Sequence, residues 1–317
     1  MNVPLANTHL AIVVPCYNEE QVLSETNRIL SGFMAEMQKV GLISANSGIY
    51  YIDDGSADKT WQLISAFNAE NPNVHGIKLS RNQGHQNALL AGLYNAEGEA
   101  IISIDADLQD DVSVIKDMLY LYKEGNEIVY GVRSSRNSDT FFKRFTAHAY
   151  YWLLKKMGVN LVYNHADYRL MSRKAINCLK EYKEVNLFLR GIVSLLGFRS
   201  AIVFYERVPR FAGESKYPLR KMLGLAVQGI TSFTVAPLRM ITWFGVLVSL
   251  SSIAVAIWVI FGKYVIHNAA PGWASIVLSI YFLGGVQLLS IGILGEYISK
   301  IYMETKQRPL YFIEEII

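Results

Sequence analysis

Short apolar runs alternate with longer amphipathic stretches from residue 9 to residue 132. Residues 9–15 (HLAIVVP), 48–52, 74–80, 100–104 and 128–132 are rich in β-branched and aromatic side chains, and each ends at a turn signal. Runs of that length and composition read as buried strands. Residues 19–40 and 82–95 carry helix-like patterns, and Asp58 and Thr60 are placed to start another helix. Alternation of this kind builds a mostly parallel sheet flanked by helices, an α/β domain. Ligands in such sheets bind beyond the carboxyl ends of the strands. The unusual polar residues fall at those ends: Pro15-Cys16-Tyr17-Asn18-Glu19-Glu20, Asp53-Asp54-Gly55-Ser56, and the acidic run after residue 104.

The pattern changes after about residue 222. Residues 240–262 and 271–295 contain no charged side chain. Each exceeds the roughly 20 residues a helix needs to cross a hydrocarbon core. With only residues 263–270 between them, they are expected to form a two-helix transmembrane hairpin. Arg239 precedes the first span and Lys300, Lys306 and Arg308 follow the second, whereas the connector holds Lys263 and His267. That bias sets both termini in the cytoplasm. Residues 219–239, with Arg220 and Lys221 near one end, read as a juxtamembrane amphipathic segment. The expected divisions are a cytoplasmic domain over 1–218, the 219–239 segment, the two spans, and a cytoplasmic tail over 296–317. Gly284, Gly285, Gly292 and Gly295 in the second span permit close helix contact and so a homo-oligomer.

Composition adds little beyond this. A net charge of +3 is too small to argue for nucleic acid. The mean hydropathy of +0.21 is high for a soluble enzyme and reflects the apolar C-terminal part. Two separated cysteines, Cys16 and Cys178, argue against a disulfide framework and suit a reducing compartment. The opening MNVPLANTHL has neither the basic nor the long apolar region of a secretion signal.

Asp105 and Asp107 stand two apart at the end of an apolar run, followed by Gln109 and Asp110. Side chains two apart on a strand point the same way, so both acids emerge together. Hard oxygen donors so presented suit Mg²⁺ or Mn²⁺ arriving on a substrate diphosphate. A polar strand-to-helix turn is the plain alternative, and for Asp110 a helix-starting role is preferred. His85 and His165 read as packed or hydrogen-bonded histidines rather than metal ligands.

Taken in order, VVPCYNEE (13–20), DDGS (53–56), SRNQGHQNALLAGL (80–93) and DADLQD (105–110) resemble the family-2 glycosyltransferases with a GT-A, Rossmann-like fold. GVRSSR (131–136), ADYRLMSR (166–173), VPRFAGESKYPLRKM (208–222) and the LGEYISKIY ending narrow the resemblance. With them the chain is similar to bacterial polyprenyl-phosphate glycosyltransferases, in particular those acting on bactoprenol in O-antigen modification, and more distantly to dolichol-phosphate mannose synthases. The Gln-x-x-Arg-Trp motif of processive synthases is absent. The resemblance implies nucleotide-sugar contacts from Pro15, Tyr17, Glu19, Asp53, Asp54, Asp105 and Ala106. It implies metal ligation by Asp105, Asp107 and Gln109, and phosphate or lipid-phosphate contacts from Arg133, Arg136, Arg210 and Lys216. Asp107 and Asp167 are the implied catalytic residues. Asp167 matches a position proposed as a base, yet a phosphate monoester with a second pKa of about 6 needs little deprotonation. An orienting role or a structural pair with Arg169 stays open.

The implied reaction is inverting transfer of a sugar, glucose first, from a UDP-sugar to undecaprenyl phosphate at the bacterial inner membrane, with Mg²⁺ or Mn²⁺ as cofactor. GlcNAc, galactose and formylated aminoarabinose are the alternative sugars. A sugar-lipid transporter or scaffold is the alternative class, disfavoured by the scarcity of polar residues in the spans.

Overall fold

The computed structural model describes residues 7–134, 165–184, 189–206, 236–261 and 272–317. Arg136, Arg210, Lys216 and all but the last residues of the juxtamembrane segment lie outside that set. The chain divides into two compact units: Met1–Lys155 with Asn160–Pro218 and Arg308–Ile317, and Lys156–Val159 with Leu219–Gln307.

The first unit is built on an eight-stranded sheet in the order β7-β5-β6-β4-β1-β2-β3-β8. Strands β1 (Leu10–Cys16), β2 (Gly48–Asp53), β3 (Val74–Leu79), β4 (Ala100–Ser103) and β5 (Ile128–Arg133) form where the apolar runs predict. β1, β2 and β4 are buried at every position, which is why their sequences are continuously apolar rather than alternating. The sheet is mixed rather than uniformly parallel. β6 (His165–Ser172) enters antiparallel between β4 and β5, and β7 (Ser200–Tyr205) pairs parallel to β5. β8 (Ile313–Ile316) closes the other edge, antiparallel to β3.

Helices α1 (Leu23–Lys39), α2 (Thr60–Glu70) and α4 (Val114–Lys123) cover one face, where Leu23, Leu30, Ile64, Ile115 and Met118 meet Leu10, Ile12, Tyr51 and Ile102. On the other face α3 (His85–Asn95) lies so close that a Cβ on Gly92 would sit 2.3 Å from Val13 and 2.6 Å from Ile52. α5 (Arg173–Lys180) touches α3 and starts at Ser172, whose side chain accepts from the Ala175 amide at 3.0 Å. The short α6 (Leu189–Leu195) follows.

The second unit contains α7 (Ala236–Phe261) and α8 (Trp273–Lys306). Met240, Trp243, Leu247, Leu250, Trp258, Leu288, Leu289 and Ile298 are exposed along them. Among the described residues, one stretch, Phe282–Lys306, is long and apolar enough to cross a membrane, and Pro237–Val248 is a shorter apolar stretch. The helix expected to end at 295 thus continues to Lys306. The residues beyond it, read from the sequence as a tail, return to the first unit's sheet.

Candidate functional site

Two of the three polar clusters are stitched together by their own side chains. The Asn18 amide donates to Ser56 Oγ at 2.9 Å, and Asn18 Oδ1 accepts from the Ala57 amide at 2.9 Å. The Glu19 amide donates to Thr60 Oγ1 at 2.9 Å and the Glu20 amide to Asp58 Oδ2 at 3.1 Å. Asn18 takes a left-handed backbone (φ 55°), a conformation asparagine tolerates better than most residues. This zipper leaves Tyr17 exposed beside Pro15 at the end of β1.

The adjacent acids after β2 have different tasks. Asp54 is 2% exposed, and its two oxygens accept from the amides of Gln83 (2.7 Å) and Gly84 (2.9 Å). It therefore braces the loop that leads into α3. Asp53 is fully buried, accepts from the Ser56 amide at 3.1 Å, and keeps Oδ2 without a partner. Burial raises the pKa of both, against the hydrogen bonds they accept. Gly55 is required at this turn. Its φ is +67°, and a Cβ would lie 2.5 Å from the Asn82 nitrogen.

β4 delivers Asp105. Thr26 Oγ1 on α1 donates to the Ala106 carbonyl at 2.8 Å and pins that buried residue. The Asp107 carboxylate accepts from the Gln109 amide at 3.2 Å, across Leu108 in a left-handed conformation (φ 55°). Gln109 and Asp110 are buried, whereas Asp105 and Asp107 are partly exposed. Asp110 is more than a helix start. It accepts from Tyr205 Oη and, at 3.4 Å, from Arg133 Nη2, and Arg133 Nε donates to Tyr205 Oη at 3.2 Å. Arg133 is thus fastened to the back of the acidic loop by a tyrosine that no sequence signal marked.

β6 decides the rest. Its register ends with Ser103 paired to Arg169, which brings Asp167 near Asp105, and His85 lies against both acids. Asp167 is 12% exposed and accepts from Arg169 Nη2 at 2.7 Å and from Arg190 Nη2 at 3.2 Å. His85 Nε2 lies 3.6 Å from Asp167 and 3.7 Å from Asp105. Burial works to raise the Asp167 pKa, but Arg190, His85 and Arg169 together hold it well below the usual carboxylate range. The cations around it thus keep this buried carboxylate in its charged form. For Asp105, burial and the nearby Asp110, Asp167 and Asp107 push the pKa up to about 6, although His85 opposes them. The His85 pKa is raised, because the two carboxylates outweigh its own loss of solvent.

Among the described residues no group of three or more His, Cys, Asp or Glu side chains is arranged to hold a metal. Two half-open carboxylates at a strand end still fit a hard cation that draws its remaining ligands from water and phosphate oxygens, as Mg²⁺ habitually does. Of the residues expected from the sequence, Asp105, Ala106, Asp107, Gln109, Pro15, Tyr17, Glu19, Asp53, Asp54, Arg133 and Asp167 all stand at carboxyl ends of the strands or the loops after them, apart from Asp167 near the start of antiparallel β6. His85, Arg190 and Tyr205 are additions. The only cue for His85 was its place in the 80–93 motif, and Arg190 and Tyr205 carried none.

A family model described as glycosyl transferase family 2 matches residues 11–180. An uncharacterised glycosyltransferase of Bacillus subtilis, YkoT, is 52% identical over 96% of this chain and 91% of its own length. A prophage bactoprenol glucosyl transferase homolog of Escherichia coli is 39% identical over 97% of this chain and 99% of its own. The bactoprenol glucosyl transferase of Shigella phage SfV is 40% identical over 96% and 98%.

Proposed function

Because the chain belongs to glycosyl transferase family 2, we propose that it moves one sugar from a nucleotide donor to a polyprenyl phosphate. The observation that carries this reading is the match at 39–40% identity, along nearly the whole chain, to a bactoprenol glucosyl transferase and to a homolog of one. The donor is a UDP-sugar, with glucose first, and the acceptor is undecaprenyl phosphate at the cytoplasmic face of the inner membrane. Helices α7 and α8 serve as a membrane-spanning hairpin with both termini in the cytoplasm, which the charge bias of the flanks supports.

Pro15, Tyr17 and Glu19 line the nucleotide. Asp54, with Asp53 beside it at the end of β2, is assigned to the base or ribose, since a carboxylate whose oxygens each accept one amide keeps further acceptor sites. Asp105 and Asp107 hold Mg²⁺ or Mn²⁺, with Gln109 buried beside them. When bound, the cation neutralises charge on the departing diphosphate. Arg133, Arg136, Arg210 and Lys216 are assigned to phosphate groups, Arg133 from its anchored place beside Asp110. The acceptor phosphate, largely dianionic near neutrality, attacks the anomeric carbon opposite the leaving UDP, so an α-linked donor yields a β-linked lipid phosphosugar. No side chain has to remove a proton, and Asp167 serves as a brace. Positioning and charge neutralisation supply the acceleration.

The test uses purified protein, undecaprenyl phosphate and a panel of UDP-sugars, with and without EDTA. Lipid-linked product should form with UDP-glucose and vanish on chelation. Asp107→Asn should lower turnover by at least about a hundredfold, the scale of a lost electrostatic stabiliser, while the protein still fractionates with membranes. Near-normal turnover in that variant would refute the metal assignment.

A further inference from the structure

Beside the acid pair lies a cationic edge assembled from three separate parts of the chain. Arg169, on β6, is 1% exposed and donates to Asp167 Oδ1, so it answers that carboxylate from inside the protein. Arg190, on α6, approaches from outside with its side chain 44% exposed. It engages Asp167 through Nε at 3.4 Å and Nη2 at 3.2 Å, a side-on fork that fixes the plane of the guanidinium. His85, the first residue of α3, is 45% exposed and stands between Asp167 and Asp105. One carboxylate thus faces two guanidinium groups and an imidazole, and of the two open groups His85 also reaches Asp105, at 3.7 Å.

Their proximity is built in. The Leu189 amide donates to Gln86 Oε1 at 3.0 Å, which ties the start of α6 to the first turn of α3. Asp54 holds the amides of Gln83 and Gly84 just before it. The residues on either side of His85, and the residue before Arg190, are therefore fixed by buried or half-buried hydrogen bonds. An exposed arginine and histidine held on one carboxylate, the histidine also reaching Asp105 at the end of the acidic strand, match the needs of a phosphoryl group, which takes the metal on one side and N–H donors on another.

We propose that Arg190 and His85 form a phosphate seat beside Asp105 and Asp107, with Asp167 as the positioning residue that aims them. The inference rests on the transfer reaction proposed above. It takes either the diphosphate of the nucleotide donor or the monoester of the lipid acceptor, since both offer the same oxygens.

The experiment uses the full chain in nanodiscs, as wild type, Arg190→Gln, Arg190→Lys and His85→Gln. UDP affinity in Mg²⁺ buffer is measured by calorimetry, the KM for undecaprenyl phosphate by product formation, and folding by thermal melting. If the seat holds the diphosphate, Arg190→Gln weakens UDP binding roughly ten- to a hundredfold, the worth of a charge-assisted pair, and leaves the lipid KM unchanged. If it holds the monoester, the lipid KM rises by that factor and UDP binding is unchanged. His85→Gln moves the same constant by a smaller factor. Arg190→Lys keeps the charge without the fork and falls between wild type and Arg190→Gln, so it decides the matter if the glutamine variant melts early. Both constants unchanged in folded variants, or a fall in kcat alone, overturns the proposal. Wild type that binds UDP but transfers nothing refutes the transfer reading separately; UDP affinity in the variants then decides the seat alone.

Discussion

At the scale of single residues, Asp167 shows how environment sets role. Asp167 sits among Arg190, His85 and Arg169, which against its burial hold its pKa well below the ordinary value. Replacing it by Asn leaves Arg169 buried without its counter-charge, and such breaks cost about 3–5 kcal/mol. Asp167→Asn should therefore lower the melting temperature by several degrees as well as activity, whereas loss of a mere base would leave melting unchanged. The linkage has a definite sign. Because the folded pKa is depressed, this stabilisation is complete above the unfolded value near 3.9 and fades as pH falls through the lower folded value. Asp105 behaves oppositely. With its pKa raised to about 6, protons compete with the cation in a range where an ordinary aspartate would be fully ionised. The apparent Mn²⁺ requirement should rise as pH drops from 7 towards 5.5, which metal titrations of initial rate at each pH will detect.

Among the elements, β8 changes the picture most. It pairs with β3, exchanges hydrogen bonds between Ile317 and Gly76 at 2.9 and 3.0 Å, and joins Glu314 to Lys78 at 3.2 Å. The Ser80 amide donates to the Phe312 carbonyl at 3.0 Å, one residue before the loop that Asp54 braces. Gly76 leaves room for this, since a Cβ there would lie 2.9 Å from Ile317 and 2.7 Å from Ile64. Removing residues 311–317 should cost about 1–3 kcal/mol, the burial of one or two isoleucines, and expose the β3 edge. Thermal melting of the truncated chain, with aggregation followed by light scattering, checks this. The opposite outcome, an unchanged melting curve, would show β8 to be dispensable.

For the molecule as a whole, the two cysteines report on topology without engineering. Cys16 is buried in β1 and Cys178 is exposed on α5. If the first unit lies in the cytoplasm, a membrane-impermeant maleimide should label Cys178 in inverted vesicles and not in right-side-out cells. Labelling from outside intact cells would reverse the proposed orientation.

The strands β1 to β5 were legible from the chain alone, because buried parallel strands must be continuously apolar and the acids at their ends break that pattern abruptly. The acid pair and the Asp53–Asp54 turn followed for the same reason. β6 was not legible: HADYRLMS puts Tyr168 and Leu170 into the core but Asp167 and Arg169 on the other face, and a buried ion pair looks like surface sequence. β7 alternates at an edge, and β8 pairs with a strand more than two hundred residues earlier, as the 236-residue separation of Lys78 and Glu314 shows. Local periodicity marks the strands themselves; long-range contacts alone set their order and brought His85 between Asp105 and Asp167 and Arg190 onto Asp167, because the spacing of such partners along a chain obeys no local rule.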